Sequence, residues 1–121
     1  MKKIMVVDDH KDIVESLKKI INKMELGFEK AYDGEEFLSK VESYKPDLVL
    51  LDVMMPGLTT KDILKKLKEK KLKKMKIILL TVVRFAEEEK KELMSYNNIV
   101  DYITKPFDET ELLHRVQTHV E

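Results

Sequence analysis

The sequence contains no cysteine and no tryptophan. The absence of cysteine excludes a disulfide scaffold and any zinc site built from thiolates. No apolar run is longer than about five residues, far below the roughly 20 that a membrane span needs. Residues 1–8 show neither a long apolar stretch nor a small-residue cleavage site, so they do not resemble a secretory signal. We therefore expect a soluble, cytoplasmic protein with no membrane partner.

The sequence also lacks an excess of either charge, because 23 Lys and Arg balance 23 Asp and Glu. Domains that bind nucleic acids usually carry a basic excess, so we expect no direct contact with nucleic acid. Lysine is nevertheless concentrated locally, since residues 61–76 contain nine lysines and two acidic residues. A solvated helix face is the favoured interpretation of this segment, and an acidic partner is the alternative.

Short apolar runs predict the strands of a buried sheet. Residues 4–7, 48–51 and 77–80 are continuously apolar, which is typical of strands covered on both faces. Residues 99–103 form a fourth candidate, and residues 28–32 form a weaker fifth. The length of 121 residues suits a single domain spanning residues 1–121.

Segments with helical spacing separate these runs. Ile13, Leu17, Ile20 and Met24 lie on one helix face, and comparable apolar stripes recur after each predicted strand. The helix predicted over residues 86–96 has a thin stripe. Five strands alternating with five helices predict an α/β, doubly wound parallel sheet with right-handed crossovers.

The predicted strands end in polar residues that carry chemistry. Ligands of open parallel sheets bind at the carboxyl ends of the strands. That rule brings together Asp8 and Asp9, Asp52, Thr81 and Lys105. Carboxylates with open coordination positions suit Mg²⁺, and a hydroxyl and an ammonium could contact the oxygens of a phosphoryl group. Each residue alone also fits a simple turn or capping role, and their joint occurrence at strand ends favours function.

These residues belong to longer segments that resemble the response-regulator receiver domains of two-component signalling, over the whole chain. The resemblance is carried by VVDD at residues 6–9, AYDGEE at 31–36, PDLVLLDVMMPG at 46–57, IILLT at 77–81 and DYITKPF at 101–107. It implies a flavodoxin-like sheet of order 2-1-3-4-5 and a cis peptide between Lys105 and Pro106.

The resemblance also implies a role for each site residue. Asp52 is the expected phosphoacceptor and one of the metal-site residues, Asp9 is a direct Mg²⁺ ligand, and Asp8 is an assisting ligand acting through water. The backbone carbonyl of Met54 is the other protein ligand that the family implies. Two further residues, Thr81 and Lys105, are expected to contact the phosphoryl oxygens. Thr81 and Tyr102 are the expected switch residues.

The implied function is a phosphorylation switch. A histidine kinase or phosphotransfer protein would donate a phosphoryl group to Asp52 with Mg²⁺, and the surface of helix 4, strand 5 and helix 5 would then change and contact a downstream protein target. A phosphorylation-dependent dimer is an open alternative. We expect no enzyme activity beyond slow self-dephosphorylation, and ending at the fifth helix suggests a stand-alone regulator.

Two other functions stay open at this point. A Mg²⁺-dependent aspartyl-phosphate phosphohydrolase normally has a carboxylate two residues after its nucleophile, where this sequence has Met54. A plain metal-binding module would leave Asp52 unmodified.

Several positions depart from the family pattern. Val82 stands where a small residue is usual, so we expect it to narrow access to the phosphoryl group. Met54 and Val83 flank the expected water approach and cannot hydrogen-bond to water through their side chains. Asn98 stands at a turn where it is expected to adopt a left-handed conformation. We expect His10 to be a surface residue at a helix start and not a ligand, and we assign His114 and His119 no role.

Overall fold

The fold is a five-stranded parallel sheet with helices on both faces. The computed structural model describes residues 1–70, 72, 75–82, 86–96 and 98–120. Its elements follow in the order β1 Lys3–Val7, α1 Lys11–Lys23, β2 Gly27–Ala31, α2 Gly34–Tyr44, β3 Leu48–Asp52, α3 Thr60–Glu69, β4 Lys76–Thr81, α4 Glu87–Met94, β5 Ile99–Thr104 and α5 Glu109–Val120. The spatial order β2-β1-β3-β4-β5 is the one that the resemblance implies.

Strands β3, β4 and β5 extend into the polar residue that follows the apolar run, whereas β1 ends at Val7. Asp52 pairs with Leu80, and Thr81 pairs with Thr104. For these three strands, a prediction that stops at the last apolar residue is therefore one residue too short. Backbone groups make the ladder bonds, so a change of side-chain polarity does not end a strand. This extension keeps Asp52 and Thr81 on rigid sheet rather than on loops.

The sheet separates two apolar layers. Met5, Val7 and Leu51 point to the layer covered by α2, α3 and α4. Ile4 and Leu50 point to the opposite layer, which α1 and α5 cover. Both faces of each central strand are thus buried, which is the physical reason for the continuous apolar runs.

Helix α4 packs less tightly than the others. Leu93 is its one buried residue, whereas α1 buries Val14, Leu17, Ile20 and Ile21. The thin stripe predicted for this helix is confirmed.

Asn98 differs from the expectation. The non-glycine residues with positive φ, within the described ranges, are Glu25 at 57° and Lys45 at 55°. Asn98 is not among them, and its side-chain amide donates to the carbonyl oxygens of Leu72 at 2.9 Å and Met75 at 2.6 Å. The residue stabilises the entry to β4 through its side chain instead of reversing the chain through its backbone.

Two further features complete the fold. The peptide between Lys105 and Pro106 is cis, as expected. In the part of the chain that the structure describes, no helix has the length and apolar character needed to cross a membrane.

Candidate phosphoacceptor and metal site

Asp8 follows β1 and is fully buried. Its Oδ1 accepts a hydrogen bond from the backbone N–H of His10 at 2.9 Å and forms a second with the ring Nδ1 of His10 at 3.1 Å. Its Oδ2 accepts one from Lys105 Nζ at 2.6 Å. Both oxygens of Asp8 therefore already have protein partners. The residue anchors Lys105 and the start of α1, which suits an assisting role better than direct ligation of a cation.

Asp52 is the last residue of β3 and is 2% exposed. Its Oδ1 accepts a hydrogen bond from the backbone N–H of Met54 at 3.1 Å and lies 3.6 Å from Lys105 Nζ. Its Oδ2 is buried without a hydrogen-bond partner. Burial raises the pKa of the Asp52 carboxyl, and the charges of Asp8 and Asp9 raise it further. The hydrogen bond from the Met54 N–H and the charge of Lys105 lower this pKa, but they do not cancel the increase.

Asp9 supplies a second buried oxygen without a hydrogen bond, Oδ1. A buried carboxylate oxygen without a partner is costly, so two of them at one place indicate a missing positive charge. When all three carboxylates are ionised, Lys105 provides the one ammonium beside them among the described residues, so the four groups together keep a negative charge. The donor set of carboxylate oxygens fits a hard divalent cation such as Mg²⁺.

Lys105 and Thr81 meet at the end of the sheet. The Lys105 side chain is largely buried, and its backbone N–H donates to the carbonyl oxygen of Thr81 at 2.7 Å. Thr81 is buried at the end of β4. The ammonium of Lys105 thus lies just after the end of β5, and the hydroxyl of Thr81 lies at the end of the neighbouring strand β4.

Tyr102 lies in β5 away from the strand ends, opposite Leu79 of β4. It is partly buried against the layer that α2, α3 and α4 cover. Lys90 of α4 places its Nζ 4.5 Å from the centre of the tyrosine ring, and a hydrogen bond with Tyr102 raises the Lys90 pKa. Tyr102 therefore connects β5 with α4.

A cavity of about 550 Å³ opens onto Asp52. Met54 and Val82 line it, and these residues are 57% and 59% exposed. The α1 side contributes Ile13 and Ser16, and the segment after β5 contributes Phe107. The opening gives an incoming group a path to the carboxylate past apolar walls. Val83 lies outside the described residues, so its expected place beside this path is a prediction from sequence.

His10 is the N-cap of α1 and its side chain is 61% exposed, as expected for a surface residue at a helix start. Its Nδ1 lies 3.1 Å from Asp8 Oδ1 and 3.3 Å from Asp9 Oδ1, so the ring lies beside the acidic pair. That His10 is not a metal ligand stays a prediction. The structure brings together Asp8, Asp9, Asp52 and Lys105 as predicted, and the ligand role of the Met54 carbonyl stays a prediction.

Comparison with known proteins places the chain in a family. The family model described as "Response regulator receiver domain" matches residues 4–117. The alkaline phosphatase synthesis transcriptional regulatory protein PhoP of Bacillus subtilis (strain 168) is 41% identical over 116 residues, which are 96% of this chain and 47% of that protein. The chain thus spans about half the length of this curated relative.

Solved structures agree with that placement. The chemotaxis protein CheY4 of Vibrio cholerae matches with a TM-score of 0.87 and 28% identity over 98% of each chain. The receiver domain of Francisella response regulator 1452 matches with a TM-score of 0.86 and 30% identity, over 99% of this chain and 97% of that one. The resemblance noted in the sequence is confirmed. The chain belongs to the response regulator receiver domains, the signalling switches of two-component systems.

Proposed function

We propose that Asp52 accepts a phosphoryl group from the phosphohistidine of a histidine kinase or phosphotransfer protein, and that residues 1–121 form one receiver domain for this purpose. The observation that carries the proposal is the buried Asp52 Oδ2, which has no hydrogen-bond partner and lies at the end of an open cavity. An oxygen without a partner retains its lone pairs for attack on phosphorus.

The transfer exchanges one bond for another. An oxygen of Asp52 forms a bond to phosphorus, the bond between phosphorus and the donor's imidazole nitrogen breaks, and the electron pair leaves with that nitrogen. Lys105, already 3.6 Å from Asp52 Oδ1, would turn from Asp8 towards the phosphoryl oxygens. The hydroxyl of Thr81 would donate a hydrogen bond to the same oxygens.

Mg²⁺ fits the residues present. Asp9 and Asp52 would hold it directly with the Met54 carbonyl, and Asp8 would assist through water. When bound, the ion supplies positive charge to the phosphoryl oxygens and neutralises the carboxylates. The two buried oxygens without partners are the structural support for this assignment.

The cavity sets how a donor approaches. Ile13, Ser16 and Phe107 line the cavity on the side of α1 and α5. A donor imidazole must reach Asp52 through this opening, so the donor protein would contact α1 and the segment after β5.

The output surface consists of α4, β5 and α5. Phosphorylation would shift the population of two arrangements of this surface, with Thr81 and Tyr102 as the transmitting residues. Helix α4, which buries one residue, is the element that costs least to rearrange. The rearranged surface would contact a downstream protein target, with a dimer of the chain as the alternative.

Incubation with acetyl phosphate and Mg²⁺, followed by intact mass measurement, tests the proposal. A single phosphoryl group added to the wild type and absent from Asp52→Asn supports the switch. Catalytic turnover of a phosphoester without a stable adduct would favour a phosphohydrolase. An unchanged mass with and without Mg²⁺ would leave only a metal-binding module, and the proposal would fail.

A further inference from the structure

The cavity beside Asp52 has a continuous apolar wall, although it opens onto charged groups. Its volume is about 550 Å³, and the apolar residues that line it are Ile13, Met54, Val82, Pro106 and Phe107. They come from α1, from the loops after β3 and β4, and from the segment after β5. The wall is therefore assembled by the fold and not by one stretch of sequence.

Two residues of this wall leave apolar surface open to solvent. Of the four large apolar residues that the structure describes as exposed, Met54 and Val82 both lie at this cavity. Single exposed apolar residues are common on protein surfaces, but apolar surface gathered in a concave site beside a few polar groups is typical of a ligand pocket. The volume also lies within the range of such pockets.

Transfer of a phosphoryl group to Asp52 needs room for a leaving group. The attacking and leaving atoms lie roughly in line on opposite sides of phosphorus. Asp52 lies at one end of the cavity, so a leaving group opposite to it would extend into the remaining space between Ile13, Val82 and Phe107. A leaving group as small as acetate would contact little of this wall, whereas an aromatic ring would contact several of its side chains.

We propose that this cavity is a leaving-group pocket that favours aroyl phosphates, phosphoryl donors whose leaving group carries an aromatic ring. The inference rests on the proposed function, because it concerns the donor used by Asp52. An oxygen of Asp52 forms a bond to phosphorus, the bond between phosphorus and the acyl oxygen breaks, and the electron pair leaves with the aromatic carboxylate.

Benzoyl phosphate and acetyl phosphate form a matched pair of donors for the test. Both have the same anionic phosphoryl group and release a carboxylate through the same bond, so Lys105 and Asp12 act on both alike. The rate of phosphorylation is measured by intact mass at low donor concentration with Mg²⁺, and it is divided by the rate at which each donor reacts with free hydroxylamine. Wild type should use benzoyl phosphate at least about tenfold faster on this scale, because a single methylene in an apolar pocket already contributes roughly that factor. Equal normalised rates would overturn the inference.

Three variants separate the apolar wall from a general structural role. Val82→Thr and Met54→Gln keep the size of exposed side chains and make them polar, whereas Met54→Leu keeps an apolar wall. The preference for benzoyl phosphate should fall at least about threefold in each polar variant and persist in Met54→Leu. The rate with acetyl phosphate in the same variant is the reference, so any loss of fold or of Mg²⁺ binding cancels. A preference unchanged in both polar variants would refute the pocket.

A binding measurement distinguishes failure of this inference from failure of the proposed function. Benzylphosphonate carries a ring but cannot transfer its phosphorus group, and methylphosphonate is its control without a ring. In nuclear magnetic resonance with Mg²⁺ present, benzylphosphonate alone should shift the methyl signals of Ile13 and Val82. Such shifts in a protein whose Asp52 is never phosphorylated would support the pocket and refute the switch. Phosphorylation by acetyl phosphate without these shifts would retain the switch and refute the pocket.

Discussion

Asp52 carries a charge in surroundings that disfavour it, because it is buried beside Asp8 and Asp9. We expect Asp52→Ala to abolish phosphoryl uptake while the fold is kept. Without Mg²⁺, the free energy of unfolding should rise by on the order of 1 kcal/mol, the lower end of the cost of a buried unsatisfied polar group. Urea denaturation in EDTA at neutral pH measures this change. Phosphoryl uptake at the wild-type level in the variant would show that Asp52 is not the acceptor.

The pH dependence of that stability difference has a definite sign. The Asp52 pKa is raised above its ordinary value of 3.8, so between the two values the folded protein binds more protons than the unfolded chain. The contribution of Asp52 to the wild-type free energy of unfolding therefore falls as pH rises through that window. The free energy of unfolding that Asp52→Ala gains over wild type should therefore be smallest below pH 3.8 and should increase with pH. A difference that shrinks as pH rises would contradict the assigned pKa direction.

Asp9 and Asp8 differ in hydrogen bonding, and we expect them to have different roles at the metal. Asp9 Oδ1 has no hydrogen bond, whereas both oxygens of Asp8 have protein partners. We expect Asp9→Ala to weaken Mg²⁺ binding by at least about tenfold, because even an outer-shell partner is worth that much. Titration calorimetry measures the affinity, and Asp12→Ala removes an exposed carboxylate of α1 as the control. Equal affinities for Asp9→Ala and wild type would exclude Asp9 as a direct ligand.

We expect the loops after β3 and β4 to determine how long a phosphorylated state lasts. Met54 and Val82 line the cavity at Asp52, and neither side chain can orient a water molecule for in-line attack. We expect the phosphorylated protein to decay over many minutes or longer. The double variant Met54→Asn, Val83→Glu should decay faster by on the order of tenfold, because asparagine and glutamate can hydrogen-bond to water and the family resemblance implies that both positions flank its approach.

Phosphate release measured with Mg²⁺ and without kinase tests this expectation. Met54→Leu is the matched control, since it keeps an apolar side chain of similar volume. Wild-type decay within seconds, or a double variant no faster than wild type, would show that these two positions do not control the water.

Among the described helices, α4 buries the fewest residues. It buries Leu93 alone. An exposed ion pair joins its Glu92 to Lys61 of α3 at 2.8 Å, and its Lys90 lies over the partly buried ring of Tyr102. Exposed ion pairs contribute about 0–1 kcal/mol, less than a buried apolar side chain. Amide hydrogen exchange in α4 should therefore be at least about tenfold faster than in α1. Lys61→Ala should accelerate α4 further and leave α1 unchanged, and exchange in α4 as slow as in α1 would refute the ranking.

At the scale of the whole molecule, the sheet lies between two apolar layers, and the candidate site lies at one end of it. The lysines of residues 61–76 are partly engaged within the fold, since Lys70 pairs with Glu42 at 2.6 Å and Lys76 Nζ donates to the carbonyl oxygen of His119. These contacts agree with the interpretation of this segment as a solvated face. Lys71, Lys73 and Lys74 lie outside the described residues.

Much of this architecture could be predicted from the sequence, because apolar periodicity is a local property. The continuous runs identified the central strands, and the polar residues after them identified Asp8, Asp9, Asp52, Thr81 and Lys105 before any distance was known. The order of the strands came from family resemblance, since alternation alone does not determine which strands are neighbours.

Only the tertiary structure decided which side chains meet. Lys105 reaches Asp8 across 97 positions of sequence because β1, β3, β4 and β5 end at one edge, and such a distance has no local signal. His10 joins the carboxylates because the turn into α1 directs its ring back towards them. Asn98 acts through its side-chain amide because carbonyl oxygens of Leu72 and Met75 lie within its reach. Sequence determined which groups the site contains, and packing determined the contacts among them, because those contacts depend on the arrangement of several separate elements.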